Sequence, residues 1–153
     1  MEISSKEVSK ELIHNHIKAL LLKKGYPANL FQWEKTFPFT YNGLTFEVEL
    51  PLVLEDDKPL LILYYHPSKR GLTSFERPLL SIARLFFNPP PYFAVLTNLE
   101  DYILIEVYPQ IIKRGGEEVF PDYESLMRYQ APYEKPYNRS VEEKILAFYL
   151  SGG

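Results

Sequence analysis

One continuous apolar stretch, PLLILYYHP at residues 59–67, constrains the fold of this chain most. An apolar run without polar alternation is typical of a central strand that is buried on both faces of a sheet. A few residues later the period of the apolar positions changes to that of a helix, at Phe75, Leu79, Ile82 and Phe86. The strand-like segment PYFAVLTN (91–98) follows. A strand, a helix and a second strand in succession predict an α/β fold.

The segments before this run predict a helix and a hairpin. Ser4 and Glu7 form a capping-box pattern, Gly25 is a natural helix stop, and the apolar residues between them recur at helical spacing. FQWEKTFPF (31–39) and LTFEVELPLVL (44–54) then predict two strands, joined by a turn at residues 41–43.

The segments after the run predict one more helix-and-strand group. Thr73 and Glu76 resemble a second capping box, with Pro78 in the first helical turn. YILIEVYP (102–109) predicts a strand, Lys113-Arg114-Gly115-Gly116 predicts a turn, and Ser140–Leu150 predicts a closing helix. We therefore expect a single domain over residues 1–153, with a central mixed β-sheet flanked by helices.

Composition narrows the classes of function. The formal net charge of −3 gives no global field that attracts nucleic acid, so any such contact must come from a local basic patch. The absence of cysteine excludes a disulfide framework and a thiolate zinc site, and three histidines leave little for a histidine-based one. No apolar run reaches a membrane-spanning length of about 18 residues, so we expect a cytoplasmic protein without membrane contact.

Several segments resemble a known family. They are ELIHN (11–15), KKGYP (23–27), EDDKPLLILYYHP (55–67), SFERPLLSIARLF (74–86) and VEEKILAFYL (141–150). In this order they resemble the PD-(D/E)xK nuclease superfamily, and more narrowly the N-terminal endonuclease domain of type I restriction enzyme R subunits. The resemblance implies a restriction-endonuclease-like core, built in the order α-β-β-β-α-β.

The catalytic positions of that family are altered here. The family holds a divalent metal with an aspartate on the second strand and a Glu-x-Lys on the third. The resemblance places the first position within residues 47–50, with Glu49 as the best candidate, and Tyr64 and His66 in the other two. Tyrosine is a poor ligand for a hard cation at neutral pH, so we expect a degenerate site with no metal ion or other cofactor. If a metal does bind, we expect Glu11, Glu49 and His66 as its ligands, and an active site would need Mg²⁺.

Three functions follow as alternatives. The first is a nucleic-acid-binding domain, with DNA as its partner, whose phosphates are contacted by Lys69, Arg70, Arg77 and Arg84. The second is an active DNA endonuclease with a migrated site, in which His66 is the base. It needs at least two carboxylates within about 5 Å of each other, drawn from Glu11, Glu49, Asp57 and Glu76. The third is a protein-interaction module or homo-oligomer, which associates through Tyr129, Tyr133 and Tyr137.

Strand alternation gives a specific prediction for the site. Tyr64 and His66 should lie on one face of their strand and Tyr65 on the other. The resemblance then implies that Tyr64 and His66 line a concavity shared with Glu49, with Lys69 and Arg70 at its rim. A histidine beside a carboxylate is stabilised in its protonated form, so we expect His66 to pair with Glu49. By contrast, the pattern places His14 on a solvated helix face and Trp33 in the core.

Overall fold

Six strands form one open, mixed sheet in a computed structural model that describes residues 9–152. Their spatial order is their order in the chain. Strands β3 and β4 run parallel, and the other neighbouring strands pair antiparallel. The strands are β1 (Phe31–Tyr41), β2 (Leu44–Glu55), β3 (Pro59–Tyr65), β4 (Phe93–Thr97), β5 (Tyr102–Glu106) and β6 (Ile111–Gly115).

In the described part of the chain five α-helices flank the sheet, and four of them begin at a residue whose side chain accepts a hydrogen bond from the first helical turn. The helices are α1 (Lys10–Lys23), α2 (Lys69–Ser74), α3 (Glu76–Leu85), α4 (Tyr123–Arg128) and α5 (Arg139–Leu150). The capping residues are Ser9, Ser68, Asp122 and Asn138. Such a cap stabilises a helix by about 1 kcal/mol because it satisfies an amide that has no partner within the helix. No helix within residues 9–152 is long and apolar enough to cross a membrane.

The helices bury both faces of the sheet. On one face, α3 and α5 pack against Ile62 of β3 and Leu96 of β4. On the other face, α1 and α4 pack against Leu61 and Leu63 of β3. Strand β3 is therefore buried on both sides, as its apolar run predicts, and the α/β fold with a mixed sheet flanked by helices is confirmed.

Halfway along the hairpin of β1 and β2, the side chains that point towards one core switch to the other core. Leu50 packs with α3 and α5, whereas Leu52, two residues later, packs with α1. In a regular strand these two side chains would share a face. The exchange occurs at Glu34, whose φ of 52° is left-handed, and at Pro51 on the facing strand, which has no amide hydrogen to donate.

At the same point β2 separates from β3. The two strands pair only from Leu52 opposite Leu63 to Glu55 opposite Pro59. Before Leu52, β2 remains paired with β1 alone. A gap therefore opens between the first half of β2 and the end of β3.

Two predicted local features are wrong. The predicted turn at residues 113–116 falls largely in the edge strand β6, where Lys113 pairs with Glu106 and Arg114 binds Glu76 through two hydrogen bonds. The predicted capping box of Thr73 and Glu76 does not form either. Thr73 belongs to α2, and its hydroxyl donates to the carbonyl of Arg70.

The predicted helix boundaries fare better. Helix α1 ends just before Gly25, whose φ of 87° is the left-handed conformation that glycine adopts without strain. Pro78 lies in the first turn of α3, and the closing helix starts one residue earlier than predicted. The capping box predicted at Ser4 and Glu7 lies outside the described residues.

Candidate binding site

A cavity of about 230 Å³ occupies the gap between β2 and β3. Helix α1 covers it and β1 borders it, so that four elements contribute to its walls. The polar and aromatic side chains that line it include Lys10, His14, Trp33, Glu49, Tyr64 and Tyr65. The cavity therefore contains two of the three residues predicted for the catalytic positions, Glu49 and Tyr64.

Tyr64 and Tyr65 enter the cavity from the end of β3. They pack with opposite cores, Tyr64 with α3 and Tyr65 with α1, as strand alternation predicts. The ring of Tyr64 stacks on Phe75, with the ring centroids 4.2 Å apart. Burial raises the pKa of both phenols, and for Tyr64 the electrostatic influence of the neighbouring acidic groups of Tyr149 and Glu49 raises it further. Both hydroxyl groups are therefore protonated at neutral pH and can donate hydrogen bonds.

Glu49 forms an ion pair with Lys10 of α1, with 3.3 Å between Lys10 Nζ and Glu49 Oε1. Both side chains are largely exposed, so this pair contributes little to stability. The predicted pairing of Glu49 with His66 is wrong. The imidazole Nδ1 of His66 instead accepts a hydrogen bond from the amide of Ser68 at 3.1 Å.

His66 also does not line the cavity, contrary to prediction. Strand β3 ends at Tyr65, and His66 belongs to the turn that leads into α2. Strand alternation therefore no longer decides where its side chain lies. The ring instead packs over Gly71 of α2, so closely that a Cβ atom at Gly71 would collide with it.

The predicted phosphate-binding residues fall into two separate groups. Lys69 and Arg70 are exposed in the first turn of α2, and Lys69 Nζ lies 4.0 Å from Asp101. Neither residue lines the cavity. Arg77 and Arg84 lie on α3, where the structure gives them a carboxylate partner.

That partner is Glu142 of α5, which is buried. Arg77 donates two hydrogen bonds to its carboxylate at 2.7 and 3.0 Å, Arg84 donates one at 2.9 Å, and the hydroxyl of Ser81 donates another at 2.7 Å. Burial opposes ionisation of Glu142, but these hydrogen bonds and the two guanidinium charges outweigh it and hold its pKa below the ordinary value. The stripe of Arg77, Ser81 and Arg84 therefore fastens α3 to α5. Arg84 is only 4% exposed and would have to leave Glu142 to reach a phosphate.

The carboxylates that an active site would need are dispersed. Glu76 binds Arg114 at the far side of the sheet, and Asp57 lies in the turn before β3. Glu11 lines a separate surface groove on α1. Within residues 9–152, no group of three or more histidine, aspartate or glutamate side chains could hold a metal ion. Two carboxylates line the cavity, Glu34 and Glu49, and Glu49 is already paired with Lys10. Together with a protonated phenol they do not fit Mg²⁺, which prefers a larger set of oxygen ligands.

A stacked pair of rings in the cavity was not predicted from the sequence. The imidazole of His14 stacks on the indole of Trp33, with the ring centroids 3.7 Å apart and the planes inclined by 22°. His14 was expected in solvent, and Trp33 was expected in the core, against which it does pack while also lining the cavity. The contact joins α1 to β1, and no local pattern indicates it, because the face exchange at Glu34 decides which way Trp33 points.

The tyrosines predicted to form a partner surface have different surroundings. The hydroxyl of Tyr129 donates to Glu106 at 2.8 Å, and its ring packs on Phe93. The ring of Tyr137 lies under the guanidinium of Arg84. Tyr133 is 57% exposed. Tyr133 and Tyr137 are the exposed members of the three, and the partner surface stays a prediction.

Comparison of the chain with known proteins gave no match to a family model, to a curated protein or to a solved structure. Any function must therefore be argued from the cavity and its surroundings. The site offers fixed aromatic rings, two phenol donors and two exposed carboxylates, with exposed cations on the neighbouring helix α2. Such a set can bind a planar polar group.

Proposed function

We propose that this chain is a nucleic-acid-binding domain with a restriction-endonuclease-like core and a degenerate catalytic site. The order of α1, β1, β2, β3, α3 and β4 supports the proposal, because it is the α-β-β-β-α-β order that the sequence resemblance implies. The position of the cavity supports it as well. It lies between β2 and β3, the two strands that carry the catalytic residues in that family.

One observation carries the proposal of binding without hydrolysis. At the position where the family has a metal-binding glutamate, Tyr64 stacks on Phe75 and keeps its phenol protonated. Glu49, at the family's other carboxylate position, is paired with Lys10. Activation of water by a divalent cation requires a set of oxygen ligands that these side chains do not supply.

The phosphate contacts are assigned to Lys69 and Arg70. Both are exposed, and both follow the end of β3 directly, so they are the cations nearest in sequence to the tyrosines of the cavity. The chain as a whole has a net charge of −3, so a local patch must supply the attraction. Arg77 and Arg84 have no part in this contact, because Glu142 holds them.

The test is fluorescence anisotropy with labelled single-stranded and duplex oligonucleotides over a range of salt concentrations. Two phosphate contacts predict that affinity for duplex DNA falls about tenfold between about 50 and 200 mM salt. The double variant Lys69→Ala/Arg70→Ala should bind more weakly and lose most of this salt dependence. Lys113→Ala/Arg128→Ala, which removes two exposed cations elsewhere, is the matched control and should bind like the parent.

A plasmid-cleavage assay with Mg²⁺ and Mn²⁺ on the same sample completes the test. We expect binding without cleavage. Absence of binding to any oligonucleotide at low salt would overturn the proposal. Metal-dependent cleavage would show that the chain is an active nuclease.

A further inference from the structure

Four aromatic rings line the cavity between β2 and β3, and two of them are held in place by their neighbours. Trp33 is held by the stacked imidazole of His14, and Tyr64 is held by the stacked ring of Phe75. Tyr65, at the end of the same strand, lines the cavity as well. A ligand that packs against fixed rings loses little binding energy to the ordering of side chains.

The charges at the cavity disfavour a phosphate inside it. Two carboxylates line it, Glu34 and Glu49, against the single cation Lys10. The cations proposed to contact phosphates, Lys69 and Arg70, lie outside. A group that enters the cavity should therefore be neutral or cationic and should carry N–H donors for the carboxylates.

The size of the cavity limits the ligand to a small group. Its volume of about 230 Å³ is below the roughly 300–1,000 Å³ typical of sites for drug-sized molecules. One planar ring system fits this volume better than an extended chain. The phenols of Tyr64 and Tyr65 add two hydrogen-bond donors to the carboxylate acceptors, so both edges of a polar ring can find partners.

We propose that the cavity receives one unpaired nucleobase that carries an exocyclic amino group. The amino group would donate to Glu49 or Glu34, as carboxylates accept from the amino group of cytosine, and the base would pack against the aromatic walls. Thymine has no amino group and should bind worst. The phosphates on either side would remain outside, against Lys69 and Arg70. The inference rests on the proposed nucleic-acid binding and adds a preference for single-stranded or unpaired sites.

The lone tryptophan of the chain, Trp33, provides a reporter inside the cavity. We expect short oligo(dA) and oligo(dC) to change its fluorescence, oligo(dT) to bind several-fold more weakly, and a blunt duplex to leave the emission unchanged. Tyr65→Ala should weaken single-strand binding about tenfold through the loss of stacking. Tyr65→Phe, which keeps the ring, should retain most of the affinity. Circular dichroism of each variant verifies that it folds.

Glu49→Ala separates base recognition from stacking. It should reduce the preference for oligo(dA) and oligo(dC) over oligo(dT), while the affinity for oligo(dT) changes little. Oligonucleotides that bind with unchanged Trp33 emission, or equally well to Tyr65→Ala, would overturn this inference and leave the proposed function standing.

Free nucleosides test the cavity apart from the phosphates. One outcome is that adenosine and cytidine quench Trp33 fluorescence while no oligonucleotide binds. That result would support base binding by the cavity and overturn the proposed nucleic-acid function. A different outcome is that tetramethylammonium quenches Trp33 fluorescence and the nucleosides do not. The cavity would then be a site for an organic cation, since aromatic rings also attract cations. That result would overturn the nucleobase inference.

Discussion

Glu142 of α5 and Arg84 of α3 form an almost fully buried ion pair, with 2.9 Å between Arg84 Nη1 and Glu142 Oε2. Arg77 and Ser81 supply the other hydrogen bonds to the same carboxylate. A buried ion pair contributes modestly to stability when intact, but it leaves an uncompensated charge in the protein when one partner is removed. Four hydrogen bonds from α3 therefore end on this one carboxylate of α5.

Replacement of Glu142 should destabilise the fold strongly. We expect Glu142→Ala to lower the free energy of unfolding by about 3–5 kcal/mol, because Arg84 would remain buried without its counter-ion. Urea denaturation measures the change. Glu143→Ala, one position along α5, removes a more exposed carboxylate paired with Arg139 and should cost less than about 1 kcal/mol. Similar losses in the two variants would contradict the assigned role of Glu142.

The same carboxylate should make stability depend on pH. The pKa of Glu142 is lower in the folded chain than its ordinary value of 4.5, so the folded state favours its ionised form. This contribution is present above about pH 4.5 and is lost as the pH falls towards the folded-state pKa, because the unfolded chain binds the proton first. The free energy of unfolding should therefore fall less steeply below pH 4.5 in Glu142→Gln than in the parent. If the free energies of unfolding of the two proteins changed with pH in parallel, Glu142 would not be the source of the pH dependence.

Gly71 should tolerate alanine only when His66 is removed. A methyl group at Gly71 collides with the imidazole and displaces it from the Ser68 amide, so Gly71→Ala should cost about 1 kcal/mol through the lost hydrogen bond. In a His66→Ala background the same change should stabilise the chain by up to about 1 kcal/mol, since alanine favours a helix over glycine. A double-mutant cycle in urea measures this reversal. The same sign in both backgrounds would mean that the contact is unimportant.

Metal binding should be absent in the parent and should appear when a third carboxylate is added. Glu34, Glu49 and Tyr64 line the same cavity, so Tyr64→Glu with Glu49→Asp places three carboxylates in it. We expect isothermal titration calorimetry to detect Mg²⁺ binding in this double variant, and none at submillimolar affinity in the parent or in Glu49→Asp alone. Tight Mg²⁺ binding by the parent would mean that its site is not degenerate.

Sequence patterns correctly predicted the helices and strands whose buried side chains recur at regular spacing. The run at residues 59–65 became the central strand β3, and the helical stripe from Leu79 to Ile82 became the buried face of α3. These predictions succeed because the burial of apolar side chains, at about 1.5–3 kcal/mol each, dominates the choice of local structure. Strand β6 was missed, because an edge strand with exposed Lys113 and Arg114 carries no apolar period.

The site was harder to predict than the fold. Glu49 and Tyr64 were correctly expected to share a concavity, but Trp33 and His14 were not expected in it. Their positions depend on contacts between distant segments, which leave no trace in local spacing. The same is true of Arg84, whose partner Glu142 lies 58 residues further along the chain. Only the tertiary structure distinguishes such a buried arginine from a solvated one.

The exchange of faces at Glu34 and Pro51 has a mechanical consequence. The base of the β1–β2 hairpin is anchored in one core by Leu52, and its outer half is anchored in the other by Leu50 and Phe39. To widen the cavity, the hairpin would have to pull side chains out of one core or the other. The cavity should therefore be preformed, with the same shape before and after a ligand binds.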